Sequence, residues 1–364
     1  MDISFRRVAQ FIVAWSEEHP RIMPWKKTTD PYKIWLSEII LQQTQVSQGL
    51  PFYLAFIRRF PTVRRLAKAS EDEVLRLWQG LGYNSRARNM HAAARTIVNE
   101  FQAVFPNSYE QIRRLKGVGD YTAAAIASFA FGLPTPVLDS NVIRVLSRVK
   151  GIAGDPAKRR TRAEFYDVLG KMIRGNDPAQ FNQAIMNFGA MQCTPRNPDC
   201  DTCVLSKHCV AYRDGLVEEL PMRKMRAQKR KRFFHYFLII DKKGLVIHQR
   251  TTKDIWQQMY DFPMLDVKTP RAPSHVIRED FIQKFGVKPP FGVKRLQSLS
   301  QSLTHQEICC AFYVVRVRRI ERRELPADYR YESFENLRTF AFPKVIRTFL
   351  SDNSLLLVKL PQGS

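Results

Sequence analysis

Along residues 1–215 the apolar positions recur at three- and four-residue spacing, most plainly in residues 32–60, 71–78, 86–101 and 164–174. That period predicts a succession of amphipathic helices. Pro51, Pro61 and Pro106 punctuate them. Beyond residue 232 the period moves towards two. Residues 233–240, a turn at Asp241-Lys242-Lys243-Gly244 and residues 245–250 predict a β-hairpin. A second strand is expected over residues 308–317 and a helix over residues 274–285. The patterns predict a mainly α domain over residues 1–215, a basic linker over 216–232 and a smaller α+β domain over 233–364. The linker segment PMRKMRAQKRKR, residues 221–232, reads equally as a solvated tether and as a DNA-tracking arm.

Within the helical part, residues 115–148 (LKGVGDYTAAAIASFAFGLPTPVLDSNVIRVLSR) read as a helix end, a tight glycine hairpin, an alanine-rich helix and the mouth of another helix. Gly117 and Gly119 allow backbone angles and approaches that side chains forbid, so Gly117, Val118 and Gly119 are candidates for holding a DNA phosphate at a helix start. Asp139 precedes Ser140-Asn141-Val142. Taken alone, an acidic residue there is an N-cap.

The 364 residues suffice for two domains, and 45% hydrophobic and 25% charged content is ordinary for a globular protein. The charge balance alters the picture. The 58 Lys and Arg against 34 Asp and Glu leave a formal net charge of +24, which points to a polyanionic partner, nucleic acid ahead of an anionic membrane. The longest early apolar run, Phe11 to Trp15, is too short for a signal-peptide core or a membrane span, so an intracellular, cytoplasmic protein is expected. Cys193, Cys200, Cys203 and Cys209 have the spacing C-x6-C-x2-C-x5-C, which can close round zinc or an iron-sulfur cluster. Cys309 and Cys310, in an apolar strand-like run, are expected to be buried thiols.

Together with LKGVGDYTAAAI and VLDSNVIRVLSR, this cysteine pattern resembles the helix-hairpin-helix DNA glycosylases of the endonuclease III superfamily. The resemblance implies a largely structural [4Fe-4S] cluster, with Arg196, Lys207 and His208 near the DNA backbone. In the bifunctional branch a lysine opens the helix after the hairpin and forms a Schiff base. Here Tyr121 stands there, so attack must come from water and strand cleavage is not expected. PWKKTTDPYKIWLSEIILQQTQV, residues 24–46, and WQGLGYNSRARNMH, residues 78–91, are similar to the adenine DNA glycosylases, the MutY family.

That resemblance implies Glu38 as general acid, in an apolar helical setting that raises its pKa. Asp139 would stay ionised and stabilise the sugar cation, with Asn141 orienting it and Tyr121 beside the sugar. Gln43, Leu81 and Tyr83 match the intercalating positions that fill the gap left by a flipped base. Trp25, Lys26 and Gln183 match positions near the adenine pocket. Lys26 replaces the commoner arginine, and Asn84 the commoner tyrosine.

Residues 233 to about 350 resemble the family's Nudix-like domain, which reads 8-oxoguanine opposite the adenine. Arg278-Glu279 is followed by Ile282 and Gln283 where paired glutamates would hold Mg²⁺, so no pyrophosphatase activity is expected. The family's Phe-Ser-His loop becomes Leu303-Thr304-His305, keeping a hydroxyl and the histidine and losing the aromatic. The expected protein is a monomeric, monofunctional glycosylase acting on double-stranded DNA with adenine opposite 8-oxoguanine or guanine, and making no use of a membrane. A DNA-binding iron-sulfur module without catalysis is disfavoured by the presence of both Glu38 and Asp139. An endonuclease III-like pyrimidine glycosylase/lyase is disfavoured by Tyr121 and the second domain.

Overall fold

The structure, a computed structural model, describes residues 4–222, 229–267, 294–317, 319–320 and 325–353. The chain forms two compact units, one of residues 1–68 and 89–225, the other of residues 69–88 and 226–364. None of the described helices is long and apolar enough to cross a membrane.

The first unit is helical, and its helices begin where short polar side chains can take up free amides. Ser4, Asp30, Ser108, Asp139 and Asp177 each accept a backbone N–H within the first turn of the helix they precede. Gly132 and Gly151, at φ 66° and 68°, end the Asp120–Phe131 and Ser140–Lys150 helices in left-handed caps. The core joins the Phe5–Glu18, Ser140–Lys150, Arg159–Ile173 and Pro178–Met191 helices through Ile12, Val145, Phe165, Phe181 and Phe188. The Pro31–Leu41 helix is buried on nearly every side, from Tyr32 to Ile40, and packs on the equally buried Asp120–Phe131 helix. Glu38 on it is thereby forced out of water, while Lys33 near its start stays part-exposed.

Three local expectations are corrected here. Pro51 does not interrupt its helix but lies inside Val46–Arg59, where it forfeits one backbone bond while Tyr53 and Phe56 anchor the next turns in the core. The break in residues 32–60 instead falls between Leu41 and Val46, with Gln43 at φ 54°. The Arg159–Ile173 helix begins five residues before the periodic stretch, on Arg159, Arg160, Thr161 and Arg162, polar positions that carry no apolar signal.

The second unit holds the strands β1 (Arg230–Ile240), β2 (Gly244–Gln249), β3 (Tyr260–Asp261), β4 (Met264–Val267), β5 (Lys294–Ser302), β6 (Gln306–Arg316) and β7 (Tyr329–Ser333). They form one sheet in the order β3-β2-β1-β6-β5, with β4 also pairing β1 and β7 pairing β2. β1 and β6 run parallel over eleven residue pairs, and the other pairs are antiparallel. The β1–β2 hairpin turns where expected, with Ile240 facing Leu245. β1 is continuously buried from Phe234 to Ile240, as in a strand covered on both faces. On one face Phe349 of the Lys344–Asp352 helix stacks on Phe312 at 4.0 Å. The Glu71–Trp78 helix is tied into this unit by Arg76 Nη1 to the Thr339 carbonyl (3.0 Å), and Gln79 Nε2 just beyond it donates to the Phe342 carbonyl (2.9 Å). Cys310 is buried, but Cys309 is only half-buried, because neighbouring residues on a strand face opposite ways. The expected helix at 274–285, the Arg278–Gln283 stretch and linker residues 223–228 lie outside the described residues.

Candidate active site

In the first unit a cavity of about 590 Å³ opens beside the Pro31–Leu41 and Asp120–Phe131 helices, and Glu38, Tyr121, Asp139 and Asn141 all line it. Two carboxylates separated by a hundred residues of chain thus face one space. Glu38 is 8% exposed, and burial pushes its carboxyl up to about 7 against the opposing hydrogen bond from the Tyr121 hydroxyl. Tyr121 is thus a hydrogen-bond partner of Glu38, and the Tyr121 phenol is itself raised well above its usual value, first by burial and then by the two carboxylates.

Asp139 is the N-cap of Ser140–Lys150: Oδ1 accepts from the Val142 amide at 2.7 Å and Oδ2 from Asn141 Nδ2 at 2.9 Å. Burial raises its pKa, while the Val142 amide, the Asn141 donors and the Arg144 charge act to hold the proton off. The two acids therefore sit in different surroundings. One has a phenol as its hydrogen-bond partner, and the other a helix N-terminus and a nearby guanidinium.

Trp25, Lys26, Gln43 and Gln183 line the same cavity. Trp25 is buried edge-on against Tyr53. Lys26 Nζ donates to Asn187 Oδ1 at 2.7 Å, and burial, with the neighbouring Arg21 charge, pushes its ammonium down to about 8. Asn187 in turn donates to Ser16 Oγ at 3.4 Å.

In the hairpin, Gly117 has φ 82°, and a Cβ there would lie 2.7 Å from that of Asn89. Gly117 and Gly119 are exposed. Val118 is buried, and its amide already donates to the Leu115 carbonyl at 3.0 Å, so of the three candidate residues its N–H is the one engaged within the protein.

Leu81, Tyr83, Thr304 and His305 line a second cavity of about 590 Å³, in the second unit. Tyr83 is exposed at φ 48°, and its hydroxyl is hydrogen-bonded to Thr304 Oγ1. Leu81 is buried at 6% exposure. Leu303 and Asn84 also line this cavity, and Asn84 Nδ2 meets Met259 Sδ at 2.6 Å.

The four cysteines of residues 193–209 border a small cavity with Arg148, Leu205 and Tyr212. Among the described residues no set of three or more His, Cys, Asp or Glu closes round a single metal ion. A cluster takes one thiolate at each iron and asks for no such convergence. Burial pushes Cys203 up to about 11 and raises Cys200 and Cys209 as well, so loading metal there would release protons. The donor set, four soft thiols around a small cavity beside a buried guanidinium nitrogen that has no hydrogen-bond partner among the described residues, fits a polynuclear iron-sulfur group. Arg196 and Lys207 are exposed on this loop, and His208 stacks on Phe11 at 6.2 Å.

Sequence reasoning missed Arg144, Arg148 and Asn187. Arg144 Nη2 donates to Asn141 Oδ1 at 2.8 Å, and Nε to the Cys193 carbonyl at 2.6 Å. Asp139, Asn141, Arg144 and Cys193 thereby form one bonded chain from the cavity to the cysteine loop. The available signal was two arginines one turn apart in a helix whose neighbours Val142, Val145, Leu146 and Val149 are apolar.

Residues 36–171 match the HhH-GPD superfamily of base excision DNA repair proteins, residues 193–209 the iron-sulfur binding domain of endonuclease III, and residues 235–352 the NUDIX domain. Among solved structures, a thermostable thymine-DNA glycosylase is similar at 29% identity and a TM-score of 0.54, over 58% of this chain and 97% of that one. An endonuclease III–DNA complex shares the fold, at 19% identity and a TM-score of 0.51, over 59% of this chain and 99% of that one. The human adenine DNA glycosylase is 38% identical over 59% of this chain and 42% of its own length. That of Buchnera aphidicola (subsp. Schizaphis graminum) is 35% identical over 71% of this chain and 75% of its own. With a helix-hairpin-helix domain, a four-cysteine [4Fe-4S] loop and a Nudix-like domain in sequence, and such likeness across three quarters of a relative, the chain belongs to the adenine DNA glycosylases, DNA repair enzymes that hydrolyse N-glycosidic bonds.

Proposed function

We propose that this protein removes adenine placed opposite 8-oxoguanine, or opposite guanine, in double-stranded DNA, by hydrolysis alone and without cutting the strand. The observation that carries this reading is the pairing of Glu38, held up to about 7, with a capped and hydrogen-bonded Asp139 across one cavity. A proton on Glu38 passes to adenine N7, and the electrons of the C1′–N9 bond leave with the neutral base. Asp139 stabilises the cation left on the sugar, electrostatically or by a transient bond, with Asn141 fixing its orientation. Water adds at C1′, and its proton returns to a carboxylate. Trp25, Lys26 and Gln183 surround the extruded base, while Gln43, Leu81 and Tyr83 fill the gap in the duplex. The Gly117 and Gly119 amides of the hairpin turn hold a phosphate, Val118 being engaged with the Leu115 carbonyl.

Thr304 and His305 read the base opposite, and the Nudix-like domain serves recognition rather than hydrolysis. Residues 1–215 carry the chemistry, residues 233–364 the recognition, and 216–232 join them, in a protein that works as a monomer. The bound cluster supplies a structural staple for the loop, held by Cys193, Cys200, Cys203 and Cys209. With tyrosine at position 121, no amine opens the hairpin helix to form a Schiff base.

The test is a set of duplexes carrying adenine opposite 8-oxoguanine, guanine or thymine, or carrying an oxidised pyrimidine, each incubated with and without subsequent alkali. Strand breaks that appear only after alkali, and only with mispaired adenine, are expected. Breaks without alkali, or at the pyrimidine, would refute the reading.

A further inference from the structure

Arg148 is among the largest fully buried side chains, at 1% exposure. A guanidinium at that depth needs counter-charge or a full set of acceptors. The acceptors on its Nε and Nη1 are neutral: Nε donates to the Leu220 carbonyl at 3.1 Å, and Nη1 to the Thr194 carbonyl at 2.7 Å and towards Cys193 Sγ at 3.5 Å. Its Nη2 is buried with no hydrogen-bond partner among the described residues. The Arg148 carbonyl meanwhile accepts from Cys209 Sγ at 3.4 Å, so this one residue touches the first and the last of the four cysteines. It also borders the cavity that all four share. One turn earlier, Arg144 directs its donors to Asn141 and to backbone carbonyls.

We propose that Arg148 is a positioning residue of the iron-sulfur cluster, its Nη1 and Nη2 donating N–H···S bonds to cluster sulfur and holding the cluster's reduction potential up. The inference rests on the four-cysteine loop and not on which base the enzyme excises. A cluster with four thiolates is net negative, so it supplies both the missing counter-charge and the missing acceptor. Hydrogen bonds to sulfur and nearby positive charge favour the more electron-rich state, and so raise the potential. The competing role is a strap that only ties the Leu220 and Thr194 carbonyls.

The experiment uses full-length holoprotein labelled with guanidinium-¹⁵N arginine. Pulsed EPR of the one-electron-oxidised cluster is expected to show a ¹⁵N coupling that disappears in Arg148→Lys. Voltammetry of the DNA-bound protein is expected to give a more negative potential in Arg148→Met than in the wild type, with Arg148→Lys between them. Should Arg148→Met fail to hold iron, the wild-type coupling and the lysine variant decide the matter. Absence of the ¹⁵N coupling in the wild type overturns the proposal. So does an unchanged potential in an iron-replete variant, because a strap would lower iron occupancy without moving the potential.

Discussion

Glu38 and Asp139 face the same cavity among different neighbours, and pH separates the roles proposed for them. In the proposed mechanism Glu38 acts while protonated, so single-turnover excision is expected to fall about tenfold per pH unit above its value of about 7. Glu38→Gln removes that alkaline limb and leaves a slow rate with little pH dependence. The same group makes a stability prediction. Its folded value lies above the ordinary 4.5, so its contribution is complete below that range and is lost as pH rises through about 7. Glu38→Gln should therefore be more stable than wild type at pH 8, by on the order of 3 kcal/mol, and melt at a higher temperature there, with the gap closing below pH 4.5. Equal melting temperatures at both pH values would show that burial does not hold Glu38 neutral. Asp139→Asn tests the other carboxylate. The amide keeps an oxygen for the Val142 N–H but lacks the charge, so excision should drop by roughly 10³-fold or more while duplex binding persists. Loss of binding and folding together would make Asp139 a cap and nothing else.

Between elements, the site depends on how closely two helices approach. A Cβ at Gly189 on the Pro178–Met191 helix would lie 2.8 Å from both Cβ and the carbonyl oxygen of Asn141 on the Ser140–Lys150 helix. Gly189→Ala must push these helices apart, at a cost of about 1–3 kcal/mol. Because Asn141 bonds Asp139 directly, the displacement reaches the carboxylate. Single-turnover excision measured well below the melting temperature should fall at least tenfold even where chemical denaturation shows the variant folded; full activity there would sever this link. The sequence disclosed elements better than contacts. Apolar spacing located the Glu71–Trp78 helix and the β1–β2 turn closely, because periodic burial is a local property. The roles proposed for the two carboxylates came from the family resemblance and not from the residues alone, since without it Glu38 reads as a helix carboxylate and Asp139 as an N-cap. The burial of Arg144, Arg148 and Asn187 was not legible, because a polar residue on a helix ordinarily reads as solvent-facing. Their partners, the cysteine loop and Lys26, lie at least 45 residues away in sequence, beyond the reach of periodicity.

At the scale of the whole molecule 58 basic residues stand against 34 acidic ones, and the effect of that excess on DNA is general attraction. Binding that neutralises about six phosphates weakens by roughly 10³-fold between 50 and 200 mM salt, because released counterions drive it. That term is blind to sequence. The affinity for a duplex with adenine opposite 8-oxoguanine and the affinity for a fully paired duplex are therefore expected to fall together as salt rises, on parallel lines of log Kd against log salt. Discrimination between them, which depends on the cavities and the flipped base, should stay nearly constant. Excision by saturating enzyme in a single turnover should likewise change little with salt, since the proposed mechanism runs through two buried carboxylates, whose charges salt screens far less than exposed ones. Titrations of both duplexes across that salt range decide the matter. If discrimination collapses as the lines fall, surface charge takes part in reading the mispair; if the slope is shallow, most of the +24 faces away from DNA.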